Sequence, residues 1–171
     1  DDYNARVILK PNQKNFHINK QIAIDAAKYE WILQLDADEV VSHGLKKEID
    51  AVIKSDTAMD GYYIPRKNWF LGRFLMKGGQ YPDYTLRLYR RGKGHLPQVH
   101  VHEQTEVAGN VKYLKHALLH YPYKNFASYL VKWNRYNDLL ATQIKESLKN
   151  KSFLAKTTYA VGYLFIKPAH W

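Results

Sequence analysis

The chain has 171 residues, 46% of them hydrophobic, which suffices for one packed core and argues against several small domains. It has no cysteine, which excludes a disulfide framework or a thiolate metal site and fits a reducing compartment. Its 26 basic and 16 acidic residues give a formal charge of +10, so phosphates, nucleic acid or an anionic membrane surface are the partners to consider.

No apolar run reaches the roughly 18 residues needed to span a bilayer, and the opening Asp1-Asp2 is unlike a secretory signal. Arg6 to Leu9 reads as a short strand closed by Pro11 and Asn12. Ile18, Ile22 and Ala26 repeat at four-residue spacing and predict a helix over 17–28. Trp31 to Leu35 reads as a buried strand. Leu45, Ile49, Val52 and Ile53 predict a helix over 45–54, with Ser42 or Gly44 near its start. Strand, helix, strand and helix in this order predict an α/β core with a largely parallel sheet. Ligands bind such sheets beyond the carboxyl ends of their strands, where Asp36 and Asp38 fall.

From Gly61 to His120, aromatic and apolar clusters alternate with glycines and prolines, as expected of irregular strands and functional loops. Helical period returns over 123–149, where Phe126, Leu130, Trp133, Tyr136, Leu140 and Ile144 share one apolar face. The tail, Phe153 to Trp171, is aromatic, with Lys156 and Lys167 interspersed. It suits either a membrane interface or packing against further sequence.

Asp36-Ala37-Asp38-Glu39 runs against the basic composition. Three carboxylates within four residues repel one another unless a cation or proton offsets them, which points to a metal or phosphate site. Either aspartate could instead cap the following turn.

Four motifs carry a family resemblance: Trp31-Ile-Leu-Gln-Leu-Asp-Ala-Asp-Glu39, Gly61-Tyr-Tyr-Ile-Pro-Arg66, Tyr81-Pro-Asp-Tyr-Thr-Leu-Arg-Leu-Tyr-Arg90 and Val101-His-Glu103. In order and spacing they resemble the family 2 glycosyltransferases, and within them the lipopolysaccharide-core glucosyltransferase branch. The resemblance implies a GT-A-like nucleotide-binding sandwich, N-terminally incomplete because the first nucleoside-binding strand and loop are not in this sequence. It implies a partial GT-A catalytic domain over 1–122 and a C-terminal helical extension over 123–171. The implied activity is inverting transfer of a sugar from a nucleotide-diphosphate-sugar donor, such as a UDP-hexose, to a saccharide or lipid-linked glycan acceptor. A cytoplasmic enzyme, peripheral on the inner face of a bacterial inner membrane, would fit both the family and the basic surface.

Such a reaction needs charge stabilisation, a base and contacts to both substrates. Charge grows on the departing diphosphate and needs a metal or cationic side chains, for which Asp36 and Asp38 supply hard oxygen ligands suited to Mg²⁺ or Mn²⁺. His120 or His102 would complete that shell, with His100 and His116 weaker candidates, and a structural role is the alternative for each. A base must take the acceptor hydroxyl proton. Glu103, acidic within a basic region, is the first choice and Asp83 the second, with a salt bridge or an Asx-type turn as the respective alternatives. Arg87, more than Arg90 or Arg91, is the candidate for the donor phosphates. Trp69, Phe70, Tyr81 and Tyr84 would stack on a sugar or line an acceptor groove, and Arg66, Lys67 and Arg73 would meet acceptor phosphates. Two other classes compete: a metal-dependent phosphotransferase or nuclease, and a nonenzymatic domain binding membranes or nucleic acid.

Overall fold

A run of alternating side chains at 83–90 frames the molecule. In the computed structural model, which describes residues 5–11, 16–55, 59–97, 104–155 and 157–158, this run forms β5 (Asp83–Arg90), with Thr85 through Tyr89 all buried. Burial of five consecutive residues means that both faces of the strand are covered. Leu88 faces a cluster with Leu45, Ile49, Tyr62, Ile64, Leu114 and Leu118, whereas Tyr89 joins Ile24, Ile32 and Leu96. The first cluster is roofed by α2 (His43–Lys54) and the second by α1 (Phe16–Asp25), so helices cover opposite faces of one sheet.

The sheet order is β1-β5-β3-β9-β2, with β1 at Trp31–Leu33, β2 at Glu39–Val41, β3 at Gly61–Phe70 and β9 at Leu118–His120. β4 (Arg73–Phe74) folds back on β3, and β8 (Val111–Tyr113) lies along the first residues of β3. β6 (Gly94–His95) and β7 (Glu106–Val107) make a separate pair. The expected largely parallel arrangement is not what forms. Only β8 and β9 run parallel to β3, while the β1–β5, β3–β5, β2–β9 and β3–β4 pairs are antiparallel. The cause is the return from β3 to β5 without a covering helix, which reverses direction and places β5 in the slot between β1 and β3.

Other expectations need adjustment. Residues 6–9 form no strand; Val7 and Leu9 are exposed and their backbone pairs with no described strand. α1 buries His17 and Ile24 rather than the Ile18–Ile22–Ala26 row, because Gln21 on the same side accepts the Leu96 N–H and holds that face inward. α2 begins one turn-fraction earlier than its apolar repeat, at a Ser42 cap whose hydroxyl accepts the Leu45 N–H at 3.2 Å. Its Leu45 and Ile49 are buried as expected, but Ile53 turns outward.

α3 (Phe126–Leu148) opens with a reciprocal Asn125–Ser128 capping box. Its first turn packs through Tyr129 against Phe70 and Tyr123, each 5.1 Å away between ring centres. Beyond that turn the anticipated apolar stripe is open: Leu130, Trp133 and Tyr136 are all exposed. Among the described residues no helix is long and apolar enough to cross a membrane. Lys167 and most of the aromatic tail, along with Lys156, lie outside the described residues.

Candidate active site

Strand register builds the site. Arg66 of β3 is paired with Asp83 of β5, Asn68 of β3 with His120 of β9, and His120 in turn with Glu39 of β2. Beyond β1, the Gln34 N–H donates to the Arg87 carbonyl at 2.8 Å, which carries the chain past β5 and delivers Asp36 beside the Arg87 side chain. Arg66 and Asn68, two apart on one strand, share a face, so both reach Asp83.

The acidic tetrad separates into three roles. The Glu39 side chain is wholly buried. Its Oε2 accepts the Asp36 N–H at 2.9 Å, and its Oε1 meets Arg87 Nη2 at 2.7 Å and Arg66 Nη1 at 3.4 Å. Glu39 is therefore the internal anchor of the turn. Asp36 is half-buried between Lys20 and Arg87, whose Nη2 donates to Oδ2 at 2.8 Å. Burial pushes its carboxyl pKa up, but Lys20 and Arg87 outweigh burial and hold it below the usual range. Asp38 points outward. Its carbonyl accepts the Tyr121 N–H at 2.8 Å, and its carboxylate lies 3.5 Å from His120 Nε2.

Asp83 Oδ2 receives Arg66 Nε and Nη2 at 2.9 and 2.8 Å and Asn68 Nδ2 at 3.1 Å. A carboxylate only accepts, so the Asn68 amide must turn its nitrogen to Asp83 and its oxygen to His120. That oxygen lies 2.7 Å from His120 Nδ1, which must then carry the proton. Burial, and after it the charge of Arg66, lowers the His120 pKa despite Asp38 and Glu39, so the neutral ring turns a bare Nε2 lone pair toward Asp38. Two electron-pair donors facing each other attract only through a proton or metal ion.

The contacts form a ring that only the 36–38 backbone closes: Asp36, Arg87, Glu39, Arg66, Asp83, Asn68, His120 and Asp38. Within ion-pairing distance its four carboxylates meet three permanent cations, Lys20, Arg66 and Arg87. Among the described residues one negative charge is left uncompensated, and Asp38 is the carboxylate that touches no permanent cation. No cluster of three or more His, Asp or Glu side chains forms a complete metal cage among the described residues. Asp38 and His120 instead present one oxygen and one nitrogen, a partial shell of the kind Mg²⁺ or Mn²⁺ completes with water and substrate phosphate.

Of the residues singled out in the sequence, Asp36, Asp38, Asp83, Arg87 and His120 come together. Arg87 is turned into the protein, only 8% exposed, and its Nη2 is held by Asp36 and Glu39. Glu103, His100 and His102 lie outside the described residues. His116 is elsewhere, its Nδ1 3.0 Å from Glu48. Arg90 is paired with Glu30 and lies over the Trp31 ring at 4.7 Å. Tyr84 packs on Tyr113, and Lys67 sits over Tyr81. Sequence reasoning missed Lys20, Asn68 and the buried status of Glu39. The i, i+2 spacing of Arg66 and Asn68 was the available signal for one of them.

An open groove of about 410 Å³ runs beside β1, lined by Ala23, Ile24, Ala27, Trp31 and Ile32 and ending at Lys20, Gln34 and Leu35. An α/β fold with a mixed sheet and a C-terminal helix agrees with the comparison of sequences. The chain belongs to glycosyl transferase family 2, whose family model matches residues 1–109. A curated relative, the lipopolysaccharide core biosynthesis glycosyltransferase LpsC of Rhizobium meliloti (strain 1021), is 29% identical over 136 residues. That match takes in 78% of this chain and 50% of the relative, so the chain spans about half the relative's length.

Proposed function

We propose that this chain carries the catalytic centre of a metal-dependent, inverting glycosyltransferase. It would move a hexose from a nucleotide-diphosphate donor, UDP-linked in the first instance, to a saccharide or lipid-linked acceptor of the bacterial cell envelope, working at the cytoplasmic face of the inner membrane. The observation that carries this reading is the uncompensated negative charge at Asp38, opposite the bare nitrogen of His120. Asp38 and His120 would hold Mg²⁺ or Mn²⁺. Asp36, already neutralised by Lys20 and Arg87, would contribute an oxygen of lower basicity or a water-bridged contact.

When bound, the metal offsets the charge that builds on the departing diphosphate. The side chains do the rest. Lys20, whose ammonium meets Asp36, also borders the groove beside β1, which would seat the nucleoside side of the donor, so it would stand between Asp36 and a phosphate there. In this reading Arg87 acts on the phosphates at one remove, by fixing Asp36 and Glu39.

Glu103 remains the proposed base. Thr105, two residues further along, donates to Gln34 Oε1 at 2.9 Å, and Gln34 lies two residues before Asp36, so Thr105 itself borders the site. Asp83 is the weaker base because Oδ2 already receives three hydrogen bonds, and its place here is to hold Arg66 and Asn68. The test is Mn²⁺-dependent turnover of a nucleotide-sugar panel by the full-length protein. Glu103→Gln should lower kcat about 100-fold or more while leaving donor affinity within about twofold. Near-normal turnover in that variant would remove Glu103 as the base, and metal-independent donor binding would remove the Asp38 assignment.

A further inference from the structure

The end of β3 offers a second binding feature that the carboxylate ring does not use. Between Gly61 and Pro82 the sequence has four cations, Arg66, Lys67, Arg73 and Lys77, and no acidic residue. Arg66 is consumed by Asp83 and Glu39, and Lys67 lies over Tyr81. Arg73 and Lys77 are exposed and touch no carboxylate among the described residues. They flank a cleft of about 520 Å³ whose remaining walls are Phe74, Leu75, Met76 and Gly78. Three apolar side chains between two unpaired cations do not suit a sugar alone, since a sugar offers neither a greasy body nor a charge. They suit a ligand with both.

The cleft is physically continuous with the ring. The Leu75 N–H donates to the Asn68 carbonyl at 2.9 Å, so its wall is tied to the residue that orients His120. The Phe74 ring lies 5.7 Å from Tyr121 and 4.9 Å from Trp69 between ring centres, and the Tyr121 N–H is the one bound to Asp38. Phe74 of the cleft wall is therefore linked through Tyr121 to the backbone carbonyl of Asp38. At the outer lip, Leu71 and Gly72 take positive φ values of 45° and 94°, and Leu71 is 57% exposed. A leucine held in the left-handed region and open to solvent carries a cost in backbone strain.

We propose that the cleft formed by Arg73, Phe74, Leu75, Met76 and Lys77 binds a phosphorylated lipid, with the phosphate between Arg73 and Lys77 and the chain along Phe74, Leu75 and Met76. This deepens the transferase reading, on which it rests for its role, by giving the acceptor an anionic, chain-bearing end. The binding itself is independent of catalysis.

The probe is dodecyl phosphate below its micellar concentration, titrated calorimetrically into the full chain. Inorganic phosphate and the neutral amphiphile dodecyl maltoside serve as the other arms. Dodecyl phosphate should bind saturably and more tightly than either. Arg73→Ala and Lys77→Ala should each weaken it about tenfold, and Met76→Asp should do the same through the chain. Inorganic phosphate binding as tightly would mean a bare anion site, dodecyl maltoside binding as tightly would mean a greasy surface, and unchanged affinity in the cation variants would place the ligand elsewhere. Each of these overturns the proposal. Mn²⁺-dependent UDP binding, measured in the same variants, separates the two readings. Its retention alongside lost dodecyl phosphate binding supports a distinct cleft, and its absence from the wild type would sink the donor assignment without touching the cleft.

Discussion

Arg87 is the residue whose removal the structure prices most clearly. Its side chain is 9% exposed and holds Glu39, whose side chain is 0% exposed, at 2.7 Å. Replacing Arg87 with methionine keeps much of the aliphatic volume but leaves the Glu39 carboxylate with the Asp36 N–H and a 3.4 Å contact to Arg66. Breaking a buried ion pair from one side costs about 3–5 kcal/mol, because the stranded charge keeps its desolvation penalty. The accompanying loss of the Asp36 contact adds little, since that carboxylate is 29% exposed and keeps Lys20. Against a typical domain stability of about 5–15 kcal/mol, such a loss leaves Arg87→Met marginal. Urea unfolding should therefore show a large fall in midpoint with little change in slope. Glu39→Gln in the same background should restore a good part of the loss, because the stranded charge is gone. A loss in Arg87→Met below about 1 kcal/mol, or no recovery in the double variant, would refute the account of Glu39 as a buried, guanidinium-dependent anion.

Further expectations concern separate parts of the chain. Asp38→Asn should leave the unfolding midpoint nearly unchanged, because the group is on the open side of the ring, yet weaken Mn²⁺-dependent UDP binding about tenfold or more by calorimetry. Ser42→Ala should cost about 1 kcal/mol in thermal unfolding through loss of the α2 cap. Gly94→Ala should cost about 1–3 kcal/mol, since the new Cβ would collide with the ring of Tyr89, which is fully buried and has no room to withdraw. Glu48 accepts the N–H groups of His116 and Lys115, and these outweigh burial to hold its pKa below its ordinary 4.5. Its contribution is fully present above that value and is lost as pH falls through the lower folded-state pKa. The stability gap between wild type and Glu48→Gln should accordingly shrink on acidification below about pH 4.5, and a gap that widened there would reverse the assignment.

The sequence disclosed those parts of the molecule whose cause is local. α2 follows from its apolar repeat and the serine before it, and α3 from its period. The Asp36–Glu39 turn was visible as a concentration of like charge. Sheet direction was not, because β5 enters between β1 and β3 through a pairing that periodicity does not record. For the same reason Glu39 read as a third acid of a metal or phosphate site, although cross-strand Arg66 and Arg87 make it an interior one. α1 misled in another way. Ile18 and Ile22 carry the obvious apolar repeat, but the face containing His17, Gln21 and Ile24 is fixed by a hydrogen bond to Leu96, 75 residues away in the chain. Arg66 matched the idea of an acceptor contact by charge alone, and only the register against Asp83 shows where that charge is used.

A circuit of charge and amide contacts constrains how such a chain can diversify. Drift at Arg66 abandons Glu39 and Asp83 together, and drift at Asn68 releases both Asp83 and the tautomer of His120. Residues in this circuit can change only in concert, whereas the hairpin from Leu71 to Gly78 is joined to it chiefly by one backbone bond and two aromatic contacts. Selection can thus rewrite the hairpin by single steps and leave the circuit intact. The part that handles charge is inherited as a block, and the hairpin beside it is free to wander.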